Sequence, residues 1–373
     1  MSNKKYIHMK NLILSFSISF VIFSAYSQKF AVVGDQRGAT IATQQVSVLV
    51  NSFNPEFIVT TGDNFDLTQG TLDSQVGQYF HNYIFPYLGT YGAGDTINRF
   101  FPALGNHELS ANGLTEYLSY FSLPGNERYY DFVKGNVHFF IINSNTNEID
   151  GTDTSSIQAQ WLKTNLLTSV ERWNIVCIHH SPYSSSSHGN NSWMNWPYQE
   201  WGATAVFAGH DHVYERIMKN EFPYFVNGAG GAGLYPFNNP VPGSIVRYNL
   251  KNGAQLISAY ADSISFRFYN VDSELIDYYT IISLNDNLKN NQQWYLNAYK
   301  NNNSIYINYN VKMPSNVSFE VYDISGSLLT STANTYKLSG SYVEKATSNL
   351  QSGIYIVCLK INNNIVCSRK ILF

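Results

Sequence analysis

A short apolar segment of the chain ends abruptly in polar residues: Phe57-Ile58-Val59-Thr60 runs into Thr61-Gly62-Asp63-Asn64. An apolar run of this length, closed by glycine and a carboxylate, is typical of a buried strand that ends in a turn. Four further apolar segments also end in a short polar signature, namely residues 30–33 before Gly34-Asp35, 101–104 before Gly105-Asn106-His107-Glu108, 175–178 before His179-His180-Ser181-Pro182, and 205–208 before Gly209-His210-Asp211-His212.

Every one of these five signatures contains a metal-ligand residue type. Open α/β sheets bind ligands just beyond the carboxyl ends of their strands, so the five signatures predict one site. Asp, Asn and His together are typical of a two-metal hydrolytic centre, in which one Asp can bridge both ions. Imidazole and carboxylate ligands suit Fe, Zn or Mn.

The composition limits the classes of function. A chain of 373 residues with 44% hydrophobic residues can build two domains and a large core. Its net charge of -3 provides no electrostatic case for nucleic acid or for acidic membranes.

The N-terminus predicts export. Lysines precede an apolar stretch from Leu12 to Ala25, which ends in the small-x-small sequence Ala25-Tyr26-Ser27. These features indicate a signal peptide over residues 1–27. The alternative is a membrane anchor, but the apolar run has about 14 residues and a span needs ~20. We therefore expect no integral membrane span.

The remaining chain divides into two parts. Residues 28–284 alternate apolar strands with helical patterns over 40–53 and 155–169, and strands follow one another after residue 222. This pattern predicts an α/β domain of two packed mixed sheets with helices outside. Residues 285–292 are polar and indicate a linker, and residues 293–373 predict a small all-β sandwich.

Two cysteines in the C-terminal part could form a disulfide. Cys358 and Cys367 flank Asn362-Asn363, and they face each other if Ile361 and Asn364 close a two-residue turn. A slipped register is equally compatible with the asparagine run, so both possibilities stay open.

The order of the five signatures resembles the calcineurin-like metallophosphoesterases, and within them the purple acid phosphatases. This resemblance covers roughly residues 29–283. It implies a four-layer α/β sandwich with two metal ions between the sheets. It also implies hydrolysis of phosphate monoesters, on a small phosphorylated substrate, by attack of a metal-bound hydroxide.

The resemblance also implies a role for each site residue. Asp63 would bridge both metals, Asp35 and His212 would hold the first ion, and Asn106, His180 and His210 would hold the second. His179 would lie behind the ligands. His107 would contact the phosphate and assist the leaving group, and His188 is a further candidate acid, with a solvated loop histidine as its alternative.

Two positions depart from the family pattern. Arg37 stands where many relatives have a histidine, and Asp66 stands where purple acid phosphatases have a tyrosine ligand. We expect Asp66, or water, to complete the first ion as a ligand. Arg37 could contact the substrate phosphate, because a guanidinium matches phosphate oxygens, or it could form a surface salt bridge.

The C-terminal part resembles the sorting domain of the type IX secretion system in Bacteroidetes. The segments that carry the resemblance are residues 317–326, residues 350–357 and the closing Lys370-Ile371-Leu372-Phe373. It implies contact with that secretion machinery and a product secreted or held at the cell surface after passage through the periplasm. The alternative is an ordinary carbohydrate-binding or spacer sandwich.

Two other functions remain open for the site. A phosphodiesterase or nucleotidase could use the same ligands, and a non-catalytic surface binding protein could retain them without turnover. The glycine-rich residues 226–233 match no nucleotide-binding fingerprint, and we expect them to let the backbone pass close to the site.

Overall fold

A computed structural model describes residues 27–110, 112–282, 296–301, 304–311, 313–323, 327–348, 351 and 353–372 of the chain. The predicted signal peptide, apart from Ser27, and the predicted linker lie outside these residues. No helix among the described residues is long and apolar enough to cross a membrane.

Most strands of residues 28–282 lie close to the segments that the sequence predicts, whereas the strands at Tyr130–Lys134, Val137–Ile141 and Tyr214–Lys219 were not predicted. The strands are β1 (Gln28–Val33), β2 (Phe57–Thr60), β3 (Phe100–Phe101), β4 (Tyr130–Lys134), β5 (Val137–Ile141), β6 (Trp173–His180), β7 (Ala205–Gly209), β8 (Tyr214–Lys219), β9 (Phe222–Asn227), β10 (Ser244–Tyr248), β11 (Gly253–Ala259), β12 (Ser263–Asn270) and β13 (Leu275–Ile282).

The helices of this part are mostly short. They are α1 (Ile41–Ser52), α2 (Gln78–Phe80), α3 (Gly113–Tyr120), α4 (Ile157–Thr168) and α5 (Tyr198–Trp201), with a π-helical turn at Asp73–Gly77 and 3₁₀ turns at His81–Tyr83 and Ser192–Met194. The two predicted helices, α1 and α4, begin at hydroxyl caps. Thr40 accepts a hydrogen bond from the Thr43 N–H, and Ser156 accepts one from Ala159.

Two mixed sheets form the domain. The first has the order β13-β12-β11-β1-β2-β3, and the second has the order β10-β8-β9-β7-β6-β5-β4. The strands β1, β2 and β3 are parallel, as are β5, β6, β7 and β9. Their carboxyl ends therefore place the predicted signatures at two facing sheet edges.

Alternating side chains build three apolar layers. Phe30 and Phe57 of the first sheet pack with Phe139 and Phe207 of the second. Side chains from α1, such as Val46, cover the outer face of the first sheet, and α4 covers the outer face of the second. The predicted α/β four-layer sandwich is confirmed.

The C-terminal part is all-β over its described residues. Its strands are β14 (Leu296–Asn301), β15 (Ser304–Val311), β16 (Ser315–Asp323), β17 (Leu328–Ser331), β18 (Thr335–Lys337), β19 (Gly340–Ser348), β20 (Ile354–Ile361) and β21 (Asn364–Leu372). They form one sheet of β14-β15-β19 and a second sheet in which β16 and β20 are central. The two sheets share one apolar core, as expected for a small sandwich.

The two cysteines of this part are free thiols. Ile361 does pair with Asn364 across the predicted two-residue turn, but a register shift follows between Leu359 and Lys360. Cys367 therefore lies opposite Leu359, and Cys358 lies opposite Ser368. Because neighbouring side chains of a strand point to opposite faces, this shift separates the two thiols and removes the possible disulfide.

A buried ion pair ties the two sheets of the α/β domain together. Asp277 of β13 accepts hydrogen bonds from Tyr214 Oη at 2.7 Å and from Arg216 Nε at 2.7 Å, both on β8 of the other sheet. Asp277 is only 7% exposed. Its removal would leave the Arg216 charge without a partner in a largely dry position.

We expect Asp277→Ala to lower the free energy of unfolding by about 3 kcal/mol, because breaking a buried pair leaves an uncompensated charge. Denaturant titration followed by tryptophan fluorescence measures it. The matched control is Asp272→Ala, which breaks an exposed pair with Lys251 and should cause no measurable change. Equal effects of the two substitutions would refute the role given to the buried pair.

Candidate metal centre

Three of the predicted ligands have a left-handed backbone where their strands end. The φ angles are 58° at Asp35, 51° at Asp63 and 71° at His210. Residues other than glycine rarely adopt this conformation, and it concentrates at functional sites. Here it turns each side chain back across the sheet edge toward the gap between the two sheets.

Glycines beside these residues are required by close packing. Gly62 has φ 89°, and a Cβ there would lie 2.8 Å from His179 Nδ1 and 2.8 Å from the Gly105 nitrogen. A Cβ on Gly105 would in turn clash with Asp63. Gly62 and Gly105 thus let their strand ends approach closely enough for the polar side chains to meet.

The nitrogen Nε2 of His179 lies at the centre of the site. The other ring nitrogen donates to the Thr61 carbonyl at 2.9 Å, so a neutral ring carries its lone pair on Nε2. That lone pair faces Asn106 Oδ1 at 3.0 Å, His210 Nδ1 at 3.2 Å and Asp63 Oδ1 at 3.4 Å. Acceptor atoms that converge in this way need a cation between them.

The acceptor atoms of Asp35 and His212, the predicted ligands of the first ion, lie close to each other. His212 donates its Nδ1–H to the Gly233 carbonyl at 2.8 Å, and its Nε2 lies 3.5 Å from Asp35 Oδ1. This oxygen of Asp35 is buried and has no hydrogen-bond partner among the described residues. An orphaned buried carboxylate oxygen that faces an imidazole lone pair is suited to a metal ion.

The donor spacing fits metal ions. Ligands at 2.0–2.2 Å from one ion lie roughly 3 to 3.5 Å from one another, and the contacts around His179 Nε2 span 3.0–3.4 Å. Two groups each have all their ligand atoms within 4.8 Å: His179, His180 and His210 form one, and Asp35, Asp63 and His179 form the other. His179 belongs to both.

The buried histidines are held neutral, which metal binding requires. Burial, followed by the neighbouring His179, lowers the pKa of His180 to about 2. Burial also lowers the pKa of His212 to about 4, although the hydrogen bond to Gly233 opposes the shift. The pKa of His210 is lowered strongly for the same reason. Burial and then Asp63 raise the pKa of Asp35 well above its ordinary value.

A sixth strand end, which the sequence analysis did not single out, orients His180. Ser144 follows β5, and its Oγ lies 2.9 Å from His180 Nδ1 and accepts from the His180 backbone N–H at 2.8 Å. A signal existed, because the apolar residues 139–142 run into Asn143-Ser144-Asn145 just as the other five runs meet their signatures.

His107 stands at the rim of the site and is oriented by Asp66. Its Nδ1 lies 3.0 Å from Asp66 Oδ2, and its Nε2 lies 3.7 Å from Asp63 Oδ2. Arg37 lies on the same carboxylates, 3.4 Å from Asp63 and 3.7 Å from Asp66. Two cationic or potentially cationic groups therefore face the space where a phosphate would approach the ions.

The carboxylate of Asp66 is already engaged. Its Oδ1 accepts from both the N–H and the hydroxyl of Thr68, at 2.9 and 2.6 Å, and its Oδ2 accepts from Gln69 at 3.0 Å. Burial raises its pKa, but the hydrogen bonds from Thr68 and Gln69 prevail and lower it to about 2. Asp66 is in neither ligand group, so the geometry favours an orienting role, while its role as a ligand stays a prediction.

His188 lies over His210, a predicted ligand of the second ion. Its ring stacks on His210 with centroids 4.0 Å apart, and its backbone N–H donates to the buried Asp211 at 2.8 Å. The side chain is exposed. Tyr235, which the sequence analysis did not identify, stacks on His212 in the same way, also at 4.0 Å.

The glycine-rich loop passes close to the site, as predicted. Gly230 N–H donates to the Gly34 carbonyl at 2.9 Å, and Ala232 N–H donates to the Asp35 carbonyl at 2.9 Å. The Gly233 carbonyl supplies the acceptor that fixes His212. The backbone of the loop therefore helps to position Asp35 and His212, the predicted ligands of the first ion.

Comparisons with known protein families agree with this arrangement. Residues 29–214 match the calcineurin-like phosphoesterase model, and residues 300–373 match the secretion system C-terminal sorting domain. Purple acid phosphatase 15 of Arabidopsis thaliana is 30% identical over 227 residues, which are 52% of this chain and 41% of that protein. The chain thus spans less than half the length of this relative.

Solved structures share the fold. A purple acid phosphatase from yellow lupin seeds, PPD1, has a TM-score of 0.57 at 17% identity. The superposed region covers 69% of this chain and 54% of the lupin chain. The Plasmodium protein GAP50, described as the anchor in the inner membrane complex, has a TM-score of 0.54 at 16% identity. The superposed region covers 70% of this chain and 90% of the GAP50 chain.

Asp66→Asn separates the two roles of Asp66. If the carboxylate orients His107, the variant keeps its full metal content while its turnover falls about tenfold, because the hydrogen bond from His107 weakens. Elemental analysis and phosphate-release kinetics on the same preparation measure both. Loss of one metal ion per chain would instead establish Asp66 as a ligand.

His179→Ala and His180→Ala test which histidine holds an ion. Because His179 Nε2 contacts Asp63, Asn106 and His210, we expect His179→Ala to lose at least one metal ion per chain. We expect His180→Ala, which removes the ring next to Ser144, to keep more metal. Metal-to-protein ratios after identical loading decide it, and the reverse order would restore His180 as the sole ligand of the pair.

Proposed function

Because residues 29–214 form a calcineurin-like phosphoesterase domain, we propose that the protein is an exported, metal-dependent phosphatase that hydrolyses phosphate monoesters. The observation that carries this proposal is the convergence of acceptor atoms on His179 Nε2 and on the orphaned oxygen of Asp35. Neutral imidazoles, an amide oxygen and two carboxylates in this geometry are suited to a pair of metal ions.

Two groups of residues would hold the ions. Asp35 and His212 belong to one, while Asn106, His180 and His210 belong to the other. Asp63 lies between them, and the ring of His179 is close to ligands of both. When bound, such ions lower the pKa of coordinated water to about 7 and neutralise charge that develops on a phosphoryl group. Fe, Zn and Mn all accept this donor set.

The side chains at the rim would complete the reaction. Arg37 can pair with the phosphate oxygens, because its partly exposed guanidinium lies at the rim beside Asp63 and Asp66 and matches phosphate geometry. His107, steadied by Asp66, can hydrogen-bond the phosphate. His188 is exposed next to His210, where it could donate a proton to a departing alcohol oxygen.

The C-terminal part supports the exported location. Its match to a secretion system sorting domain favours delivery by the type IX machinery, with release or surface attachment afterwards. The substrate would then be a small phosphorylated molecule outside the cell.

Two alternatives are tested by the same assays. A phosphodiesterase would prefer bis-aryl phosphate over aryl phosphate, whereas a monoesterase would show the opposite preference. A non-catalytic binding protein is the second alternative, because GAP50, which is described as an anchor, has the same fold. Such a protein would bind less than one metal ion per chain after careful loading.

Asp63→Asn is the central test. The amide keeps an oxygen for the His107 N–H but cannot supply an anionic bridge, so we expect loss of metal and a fall in phosphatase turnover of more than about 100-fold. Elemental analysis and hydrolysis of aryl phosphate measure the two effects. Asp262→Asn, in an exposed turn, is the control and should change neither. An Asp63→Asn variant with unchanged metal and turnover would refute the assignment.

A further inference from the structure

A cavity of about 380 Å³ opens beside Asn106 and His180, two of the proposed ligands of the second ion. Asn106 and His180 form its inner wall, so anything bound there lies directly next to the proposed metal centre. Ligand pockets span about 300–1,000 Å³, and this volume lies at the lower end of that range. The cavity is therefore large enough for one ring but small for an extended molecule.

The walls of the cavity are held in place by the strand-end network. Ser144 orients His180, and its carbonyl accepts from Trp193 Nε1 at 3.0 Å. Asn145 is buried and donates to the Gly105 carbonyl at 3.2 Å. The pocket is thus fixed by the same residues that position the ligands, so it is formed before a substrate arrives.

The loop that follows is clamped by a charged network behind the cavity. Glu148 accepts from Asn143 Nδ2 at 2.6 Å and from Arg128 at 3.0 to 3.2 Å. Arg128 also reaches Asp150 at 2.8 Å. Residues 144–147 are therefore anchored on both sides, and the positive charge of Arg128 is neutralised away from the cavity.

The chemistry of the outer walls is polar but uncharged. Thr146 and Asn147 are exposed, and no hydrogen bond to the described residues engages their side chains. Trp193 and Leu109 supply the apolar surface opposite. Among the seven lining residues, the one ionisable side chain is that of His180, which is a proposed metal ligand.

This combination selects a type of leaving group. A second phosphate or a carboxylate would find no cation among these lining residues, and burying it unpaired would be costly. An apolar ring would use the surface of Trp193 but would gain nothing from the hydroxyl of Thr146 or the amide of Asn147. A small ring with several hydroxyl groups could pair with both and place its C–H face against Trp193.

We propose that this cavity binds the leaving group of the substrate and that the preferred substrate class is the phosphate monoester of a monosaccharide. The proposal rests on the phosphatase function argued above. Thr146, Asn147 and Trp193 are its specificity-determining residues, and they act on the alcohol portion of the ester without touching the phosphorus.

The test compares two esters that share the phosphoryl group. The leaving group of glucose 6-phosphate is a ring with several hydroxyl groups, whereas that of methyl phosphate has a single carbon and no further hydroxyl group. In the metal-loaded full chain, we expect the Thr146→Val, Asn147→Ala double variant to lose about tenfold in kcat/KM on glucose 6-phosphate and less than twofold on methyl phosphate. Asn51→Ala, on the exposed side of α1, is the control and should alter neither.

A charge exchange provides a second measurement. Asn147→Lys places a cation in the cavity, so we expect kcat/KM for pyrophosphate to rise about tenfold relative to glucose 6-phosphate. Equal losses on both esters in the double variant, or no loss on either, would overturn the assignment of the cavity while the phosphatase function stands. Failure of the metal-loaded wild type to hydrolyse either ester would overturn the phosphatase function itself, and the cavity's role with it.

Discussion

The site depends on one buried carboxylate that is not a proposed ligand. Glu108 has no exposed surface and accepts hydrogen bonds from the backbone N–H of Gly105 at 2.7 Å, of Asp63 at 3.1 Å and of Asn64. It thereby joins the end of β2 to the turn after β3. Burial and then the Asp63 charge raise its pKa, while the N–H donors oppose the shift. Without this carboxylate, those donors would be buried and unpaired, and the bridge position would lose its support.

The burial of several carboxylates at one sheet edge destabilises the folded state when no metal ion is bound. Asp35, Asp63 and Glu108 are all buried at the same sheet edge, and their mutual repulsion adds to the raised pKa of Asp35. Left-handed backbone at Asp35 and Asp63 adds strain of about 1–3 kcal/mol for each residue. A pair of cations would offset the repulsion, because each ion would replace unfavourable carboxylate contacts with ligand bonds. Metal binding and folding should therefore be strongly linked.

The sequence predicted those features that depend on local pattern. Strand ends, the two capped helices and the approach of the glycine-rich loop follow from runs of apolar residues and glycine. The placement of His179 does not, because it depends on a hydrogen bond to Thr61, 118 residues away, that turns the ring toward Asn106. Similarly, the register shift near Cys367 depends on how β20 and β21 pair, which no short motif specifies. The loop at Ser144 was predictable in form and was overlooked.

The two sides of the site differ in what they can vary. Its floor is buried and mutually constrained: Ser144 alone touches both histidines of the fourth signature and Trp193, so a change there disturbs ligands and pocket together. The outer wall of the cavity is exposed, and the side chains of Thr146 and Asn147 make no hydrogen bond to the described residues. Substitutions of Thr146 and Asn147 would therefore change which alcohol is accepted without disturbing the proposed metal ligands. This separation gives a physical reason for assigning the phosphoryl chemistry to the strand ends and the choice of substrate to the loop after β5.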